Sequence, residues 1–384
     1  LPLVYGNAIK NSATNASAYT STVTGTNILN PFINHAGNGI TDPYISGNGC
    51  TPAKAELVWQ DAMNLVTDIK YNISFKVDRS SIRQGNAVIA IKDVSDAILW
   101  SWHVWVTDED INNVIEITNH QNVKYNFMPV NLGQCDGNTI TYEERSCKVK
   151  FIAGDQSKEI TIKQLANVIA TGSNAPFYQW GRKDPLYPSN GMGNTTKIWY
   201  DKEGIPSTAN PMKGTFSAGN DCIKNCILNP NLMHNRYNGD YTYYNLWSAD
   251  NKTTSANDNP VNKTIYDPCP VGFKLPASNA FTGFTTTGES VSSSTQVNGT
   301  WSSSEKGWYF YTNSEKTQSI FFPALGYRSY STMRPGSIGT QGCFWSAHPV
   351  AKGNNYYLRT SSVDVQPTYM VDRGFGYALR PCQD

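Results

Sequence analysis

The sequence predicts a β-rich α+β fold, and three observations support that class. Charged residues make up only 16% of the 384-residue chain, so its polarity comes mainly from Asn, Ser, Thr, Gly and Tyr. Aromatic residues are frequent (10 Trp, 22 Tyr and 14 Phe), and so are the turn formers Gly (30) and Pro (20). Short β-branched or aromatic runs separated by turn residues recur along the chain. These features are typical of an extracellular protein built from strands and loops.

The first part of the chain, residues 1–170, is predicted to be an antiparallel, β-sandwich-like unit. Residues 1–50 are loop-rich, and strand candidates then follow one another closely from residue 54. Apolar and polar residues alternate strictly in SFKVD and AVIAIKD, which implies one buried and one wetter face. A second group of candidates, between residues 121 and 165, is expected to close the sheet. The first group comprises AELVWQD, LVTDIKYN, ISFKVD, NAVIAIKD and ILWSWHVWVTD.

The second part, residues 171–384, is predicted to be a separate unit with long loops. Residues 172–262 are rich in Asn and Gly with aromatic islands, and loops of this length are usually functional or packed. One helix is predicted, in PASNAFTGF at 276–284, where Ser278 or Asn279 could cap. The strand candidates that follow are WYFYT, SIFFPALGYRS, GCFWSAHP, NNYYLRT and GYALRPC.

Charge and hydropathy exclude two classes of partner. The net charge is +1, which provides no basic field of the kind that nucleic acids or anionic membranes require. The most apolar stretch, residues 97–106, is interrupted by Ser101 and His103 and is far shorter than the roughly 18 to 20 residues of a membrane span. The chain begins at Leu1 without Met, so we expect that a preceding segment was removed. An even number of cysteines, eight, is consistent with disulfides in an oxidising compartment.

Signatures of common enzymes are missing from the sequence. GTFSAGN has one residue too many for a nucleophile elbow, and GMGNTT lacks the third Gly and the preceding strand of a dinucleotide-binding loop. The five histidines are dispersed without the paired spacing of a zinc site. His103 lies between two tryptophans, and we interpret it as a hydrogen-bonded strand residue rather than a general base.

Two segments are candidates for metal binding. Cys222 and Cys226, followed by His234, resemble part of a zinc site, although a disulfide or two free thiols fits the loose spacing better. For calcium, TDEDINN at 107–113 begins like an EF-hand loop but has Asn113 in place of the required Gly. Asp250 and Asp258 offer oxygen ligands in a loop. We therefore predict no cofactor and leave calcium as the one open possibility.

Aromatic and amide side chains point to carbohydrate binding. Sugar sites place Trp and Tyr faces against C–H patches while Asn, Asp and Arg bind the hydroxyls, and they lie on loops above a rigid sheet. The competing interpretation is that most of these rings fill β cores.

Five strings in the second part resemble, in order, the paralogous domain of surface proteins from Fibrobacter and Bacteroidetes. They are FYQWGRKDP (177–185), YDPCPVGFKLP (266–276), PALGYRS (323–329), GCFWSAHP (342–349) and GYALRPC (376–382). Upstream, ILWSWHVWVTD, MPVNLG and LVYGNAIKN resemble the same unit at the C-terminal end of fimbrillin-like adhesins, the tip subunits of type V pili. The resemblance covers nearly the whole chain.

The resemblance implies a function and a location. It implies an exported, outer-membrane-associated protein of the cell surface and fimbrium, with a C-type-lectin-like C-terminal part that acts in adhesion at a pilus tip. The calcium-dependent sugar triplets of C-type lectins are absent, and 366–368 (Gln-Pro-Thr) is the nearest string. The usual N-terminal fimbrillin domain is missing too, and LPLVYGN resembles the inside of a longer strand. An unpaired edge would then accept a strand donated by another pilus subunit.

Disulfides are expected at two places. The resemblance implies a pair between Cys269 and Cys382, which would stabilise the fold by about 4 to 5 kcal/mol on a chain-entropy estimate. A local bridge between Cys135 and Cys147, across a predicted hairpin, is the second choice.

The leading hypothesis is a non-enzymatic adhesin that binds a glycan or protein on a host or bacterial surface. The ligand contacts are predicted in two loops, residues 247–250 and 327–334, through Trp247, Asp250, Tyr327, Arg328 and Arg334. One alternative is a purely structural pilus cap subunit; a deep aromatic-lined cleft would favour adhesion over that alternative. Another is an enzyme related to the formylglycine-generating oxidases, which the lack of a catalytic Cys pair in the final strands disfavours.

Overall fold

A computed structural model describes residues 3–136, 139–170, 175–186, 197–214, 218–234, 243–351 and 353–384. Strands account for 38% of the structure and helices for 6%, which confirms the β-rich α+β class. Within these residues, no helix is both long enough and apolar enough to span a membrane.

A five-stranded antiparallel sheet forms the centre of the N-terminal part. The strand Gly85–Lys92, fourth across the sheet, is buried on both faces along nearly its whole length, so the wetter face that the alternation in AVIAIKD implied is absent. The strand Ile98–Val106 pairs with it, with Ala90 opposite Ser101, and is the edge strand of this sheet. The order across the sheet is Pro206–Ser207, Trp199–Tyr200, Lys54–Gln60, Gly85–Lys92 and Ile98–Val106.

The two predicted parts share sheets and a core. Trp199–Tyr200 joins the N-terminal sheet, although it follows residue 170. A four-stranded sheet likewise combines Phe273–Lys274 and Cys382–Gln383 with Lys124–Phe127 and Ile115–Thr118. The largest hydrophobic cluster contains residues from both parts, including Trp100 and Trp345. The N-terminal strands are therefore stabilised by packing against the C-terminal half of the chain.

Three further sheets lie within the C-terminal part. One is four-stranded and the other two are three-stranded. The strands of the four-stranded sheet are, in order across it, Tyr178–Gln179, Gly376–Tyr377, Tyr327–Arg328 and Pro335–Gly336. One three-stranded sheet consists of Gly299–Ser302, Gly307–Tyr311 and Ser319–Pro323. The other consists of Gly342–Pro349, Asn354–Thr360 and Val365–Asp372.

The remaining elements are short pairs and turns. The strand pairs are Ile9–Lys10 with Ala13–Thr14, Thr67–Lys70 with Ser74–Lys76, Thr139–Tyr142 with Asn167–Ala170, Arg145–Ala153 with Gln156–Gln164, and Lys213–Gly214 with Met233–His234. In the described part of the chain, the α-helix is Gly219–Leu228, and the 3₁₀ turns are Ala16–Ala18, Ser46–Asn48, Thr282–Phe284 and Ser294–Gln296.

Three sequence expectations about these elements are wrong. The predicted helix at 276–284 is only the 3₁₀ turn Thr282–Phe284; the segment has helical apolar spacing, but Ser278 and Asn279 bond through their side chains to residues 257 and 258 instead. The hairpin Arg145–Ala153 with Gln156–Gln164 does not close the first sheet; its side chains are almost all exposed. The LVTDIKYN and ISFKVD runs pair with each other instead of joining the main sheet.

Most of the tryptophans fill the core. Six of the ten are less than 2% exposed, namely Trp59, Trp100, Trp180, Trp247, Trp308 and Trp345. For these six rings, the interpretation that the aromatic residues fill β cores is therefore the correct one. Trp102, Trp105, Trp199 and Trp301 remain partly exposed and are the tryptophans available for contact with a ligand.

His348 makes the fold sensitive to acid. Its side chain is fully buried, its Nδ1 lies 3.4 Å from the backbone nitrogen of Ser278, and burial lowers its pKa from 6.5 to about 4. Between these values the unfolded chain binds a proton that the folded chain does not, so stability falls as the pH falls.

We therefore expect His348 to reduce the free energy of unfolding by up to about 1.4 kcal/mol per pH unit between pH 6.5 and 4. Urea denaturation of the native chain and of His348→Gln at several pH values measures this contribution. The variant should show a shallower acid dependence. Parallel pH profiles for the two proteins would contradict the assignment.

Candidate functional site

Trp247, a predicted ligand contact, lies in the core. It is fully buried, and its Nε1 donates hydrogen bonds to the carbonyl oxygens of Tyr266 (3.0 Å) and Arg182 (3.3 Å). Its ring centroid is 5.3 Å from that of Trp180. The ring therefore connects three segments of the core and presents no face to a surface ligand in this structure.

Asp250 anchors the N-terminal segment. Its Oδ1 accepts hydrogen bonds from the backbone N–H of Thr22 (2.7 Å) and the Thr22 hydroxyl (2.9 Å), and its Oδ2 accepts one from Asn262 (3.1 Å). Burial opposes ionisation, but these bonds outweigh it and lower the pKa of Asp250. Asp258, the other acidic residue considered for calcium, accepts bonds from Asn119, Tyr125 and Asn279. Among the described residues, no group of three His, Cys, Asp or Glu is arranged to hold a metal ion.

The structure brings Tyr327, Arg328 and Arg334 together on one hairpin. Arg328 is buried, and its Nη1 donates to the carbonyl of Met333 and to Asn210 Oδ1, both at 2.8 Å. Arg334 is exposed. The half-buried Tyr327 ring packs edge-on against Phe375, and so does Tyr330. Arg328 thus holds the hairpin in shape, while Arg334 is exposed and the neighbouring rings are half-buried at its surface.

A cleft of about 270 Å³ opens beside the edge strand. Four distant segments form it: the N-terminal loop, the strand itself, Lys183 and the stretch 263–271 that contains the DPCP string. We call it the tryptophan cleft, because Trp100 and Trp102 line one side. Its lining residues are Gly6, Asn7, Ile9, Trp100, Ser101, Trp102, His103, Lys183, Lys263, Ile265, Asp267, Pro268, Cys269, Pro270 and Val271.

A buried ion pair closes one wall of the tryptophan cleft. Lys183 Nζ donates to Asp184 Oδ2 (2.6 Å), to the Ser101 carbonyl (3.0 Å) and to the Ser101 hydroxyl, which in turn donates to Asp184 Oδ1 (2.8 Å). The ammonium lies 4.5 Å from the centroid of Trp100. Burial lowers the pKa of Lys183, and Asp184 opposes that change. All three ammonium protons are engaged, so this wall has no net charge.

Lys263 shapes the opposite wall. Its ammonium donates to the carbonyls of Cys269 (2.6 Å), Pro270 (2.8 Å) and Phe273 (2.6 Å). Asp267 accepts hydrogen bonds from the backbone N–H groups of Cys269 and Leu275, and burial raises its pKa. The turn is thus held from the inside by a cation and a carboxyl group, which fixes the shape of the cleft.

His103 is hydrogen-bonded at both ring nitrogens, as predicted. Nδ1 lies 3.0 Å from the hydroxyl of Tyr178 and Nε2 lies 2.9 Å from Asn86 Oδ1. Burial lowers its pKa to about 3. The imidazole is therefore neutral at physiological pH and orients the strand rather than supplying a charge to the tryptophan cleft.

The eight cysteines carry free thiols in the structure, so neither predicted disulfide has structural support. Cys269 and Cys382 are both buried, and burial raises the pKa of each, that of Cys382 to about 12. Cys135 is buried beside Asn86, whereas Cys147 lies on the exposed hairpin.

The tryptophan cleft was not predicted from the sequence. Its lining segments lie 80 or more residues apart in the chain. The only sequence indication was the aromatic bulk on both faces of ILWSWHVWVTD, which suggested that this strand packs on both sides. Comparisons with protein-family models, with curated proteins and with solved structures found no significant match to this chain.

Proposed function

We propose that this protein is a non-enzymatic adhesin of the cell surface and that it binds a glycan in the tryptophan cleft. The observation that supports this proposal is a concave site lined in part by tryptophan, whose two lysines donate to protein oxygens. Ligand sites are typically concave and largely apolar, with a few fixed polar groups. The cleft lies near the lower end of the usual range of about 300 to 1,000 Å³, so it suits a single sugar ring of a longer glycan.

The chemistry of the walls favours a neutral ligand. The two lysines of the cleft direct their protons to protein oxygens, so neither ammonium is free to donate to an anionic sugar. Trp102 is partly exposed and offers a ring face to the C–H patch of a pyranose. The hairpin with Tyr327, Tyr330 and Arg334 is proposed as a second contact surface, for a protein ligand or for more distant sugars.

Assembly into a pilus is part of the same proposal. The resemblance implies an unpaired strand edge to which another subunit adds an extended segment. A C-type-lectin-like C-terminal part at a pilus tip, as the sequence resemblance implies, would present both contact surfaces outward. The alternative of a structural cap needs no pocket, and the tryptophan cleft weighs against it.

Removing the Trp102 side chain should abolish most of the binding. We expect Trp102→Ala to lower affinity for a glycan hit at least about tenfold, because a partly exposed aromatic anchor contributes more than about 1.4 kcal/mol. The hit is first identified by applying the purified chain to a glycan array with and without a calcium chelator. Titration calorimetry then compares the native chain with the variant.

Trp301→Ala is the matched control, because Trp301 is also partly exposed but lines none of the tryptophan cleft. Its affinity should equal that of the native chain. If Trp102→Ala bound the glycan as tightly as the native chain, the glycan site would not lie in the tryptophan cleft. Arg334→Ala would then test whether the site lies on the hairpin. Absence of binding to every glycan would overturn the glycan ligand.

A further inference from the structure

Trp100 differs from other buried tryptophans in its hydrogen bonding. Four of them donate from Nε1 to a backbone carbonyl, namely Trp180, Trp247, Trp308 and Trp345. Trp100 is 1% exposed and lines the tryptophan cleft, but its Nε1–H meets no acceptor among the described residues. This nitrogen is also not fully enclosed by protein. Because a buried indole N–H usually has a partner, this donor is available to a ligand in the cleft.

The ring of Trp100 is held by its neighbours and contributes its N–H edge. The Lys183 ammonium lies 4.5 Å from the ring centroid, and the Tyr266 ring stacks at 6.1 Å between centroids. Tyr5 meets the ring edge-on at 4.9 Å. With its faces covered in this way, Trp100 acts on a ligand as a fixed hydrogen-bond donor rather than as a stacking platform.

Trp102 adds a second donor and a free ring face. It lies two residues from Trp100 on the strand Ile98–Val106, so both side chains project from the same face of the sheet. In the part of the chain that the structure describes, Trp102 has neither an acceptor for its Nε1–H nor a ring contact. The strand therefore presents two indole N–H groups and one open ring face to the tryptophan cleft.

Asn7 supplies the third free polar group of the cleft. It lies in a tight turn that is closed by the hydrogen bond from the Ala8 N–H to the Tyr5 carbonyl (2.8 Å). The turn touches the opposite wall, because a Cβ at Gly6 would collide with the carbonyl oxygen of Ile265. The side-chain amide of Asn7 has no partner within the described ranges. Its backbone is thus fixed while its amide is free to bind.

These free groups are richer in donors than in acceptors. The two indoles offer one N–H each, and the Asn7 amide offers two N–H groups and one carbonyl oxygen. An acetamido group complements them, because its carbonyl oxygen accepts two hydrogen bonds and its N–H donates one. Its methyl group suits the apolar part of the lining, which consists of Ile9, Ile265, Pro268, Pro270 and Val271. A hydroxyl in its place would make fewer of these contacts.

We propose that the tryptophan cleft selects sugars that carry an acetamido group, the N-acetylhexosamines. This inference rests on the proposed glycan site and names its ligand class. The pyranose ring stacks on Trp102, the acetamido carbonyl accepts from the Trp100 indole, and the acetamido N–H donates to Asn7 Oδ1. Trp100 and Asn7 are then the residues that determine specificity, and Trp102 supplies most of the contact area.

Two pairs of monosaccharides test this selection on the native chain: N-acetylglucosamine with glucose, and N-acetylgalactosamine with galactose. In NMR titrations we expect the acetylated sugar of at least one pair to bind about tenfold or more tightly than its partner, whose hydroxyl leaves donors of the cleft unpaired. Saturation-transfer difference spectra should show the acetyl methyl among the most strongly saturated protons. The amino sugar and the uronic acid of the same pair should bind more weakly than the acetylated sugar, and tighter binding of either would overturn the proposal.

Asn7→Ala separates recognition of the acetamido group from binding of the sugar ring. The variant should lose about tenfold in affinity for the acetylated sugar and change little for the plain hexose. Asn112→Ala is the matched control, because Asn112 is exposed and lies outside the cleft, and it should bind as the native chain does.

The outcomes distinguish this inference from the proposed function. If each acetylated sugar and its plain partner bound equally well, and Trp102→Ala lost both, the acetamido selection would be wrong and the glycan site would stand. An unchanged preference in Asn7→Ala would overturn the role of Asn7. If none of the sugars bound, the proposed function would fail together with this inference.

Discussion

Replacing Arg380 by methionine should lower the free energy of unfolding by about 3 to 5 kcal/mol. Arg380 is 1% exposed and donates from all three guanidinium nitrogens: Nε to Asn131 Oδ1 (2.7 Å), Nη1 to the Pro129 carbonyl (3.0 Å) and Nη2 to the Phe321 carbonyl (2.8 Å). It also lies 4.3 Å from the centroid of Phe322. Methionine fills much of the volume but leaves these buried acceptors without donors.

The same argument predicts that lysine does not rescue the position. An ammonium has no planar fork to reach acceptors on separate segments, so Arg380→Lys should also lose stability. Burial already lowers the pKa of Arg380 to about 9, and a more strongly hydrated lysine would be harder to bury in its charged form. Urea denaturation followed by tryptophan fluorescence measures both variants.

Arg79→Met is the matched control for this position, because Arg79 is exposed. Its free energy of unfolding should change by less than about 0.5 kcal/mol. A loss below about 1 kcal/mol in Arg380→Met would show that the segment 128–131 and the strand Ser319–Pro323 do not depend on this guanidinium.

Breaking the ion pair in the wall of the tryptophan cleft should have an effect of similar size. Lys183→Met leaves the carboxylate of Asp184, which is 1% exposed, without its cation, and we expect a loss of about 3 to 5 kcal/mol. The double variant Lys183→Met, Asp184→Leu removes both charges and should lose much less than the sum of the two single variants. A double-mutant cycle in urea gives the coupling free energy directly.

The surface pair of Lys54 and Asp96 provides the comparison for that cycle. Both side chains are about half exposed, at 51% and 58%, so Lys54→Met should cost less than about 1 kcal/mol. If the double variant lost as much free energy of unfolding as Lys183→Met and Asp184→Leu together, the two side chains would not depend on each other, which would contradict this prediction.

Strand positions were predictable from local pattern. Four observed strands coincide with apolar or alternating runs in the sequence, because the burial of a strand's side chains follows a pattern within a few consecutive residues. They are Lys54–Gln60, Gly85–Lys92, Ile98–Val106 and Gly342–Pro349. The helix Gly219–Leu228 was missed, although its buried residues at 222, 223, 226 and 227 have helical spacing. Glycine and asparagine at its start concealed that spacing within a loop-rich region.

Whether the position of a predicted site residue could be foreseen depended on how far along the chain its neighbours lie. Tyr327 and Arg334 are neighbours on a hairpin, so their proximity follows from the chain itself. The burial of Trp247 depends on Arg182 and Tyr266, and the bonds of Asp250 depend on Thr22, more than 200 residues away. No local pattern distinguishes an aromatic ring in a core from one that contacts a ligand, because the same side chain serves both.

By itself, the sequence determined the β-rich class, the absence of a strong charge field and the positions of the main strands. These properties depend on composition and on the two-residue repeat of a strand, and both are local. Only the tertiary structure decided that the two halves share a core and that a cleft forms beside Trp102. Each of these depends on which distant segments pack together, and that choice minimises exposed apolar surface over the whole chain rather than within any one segment.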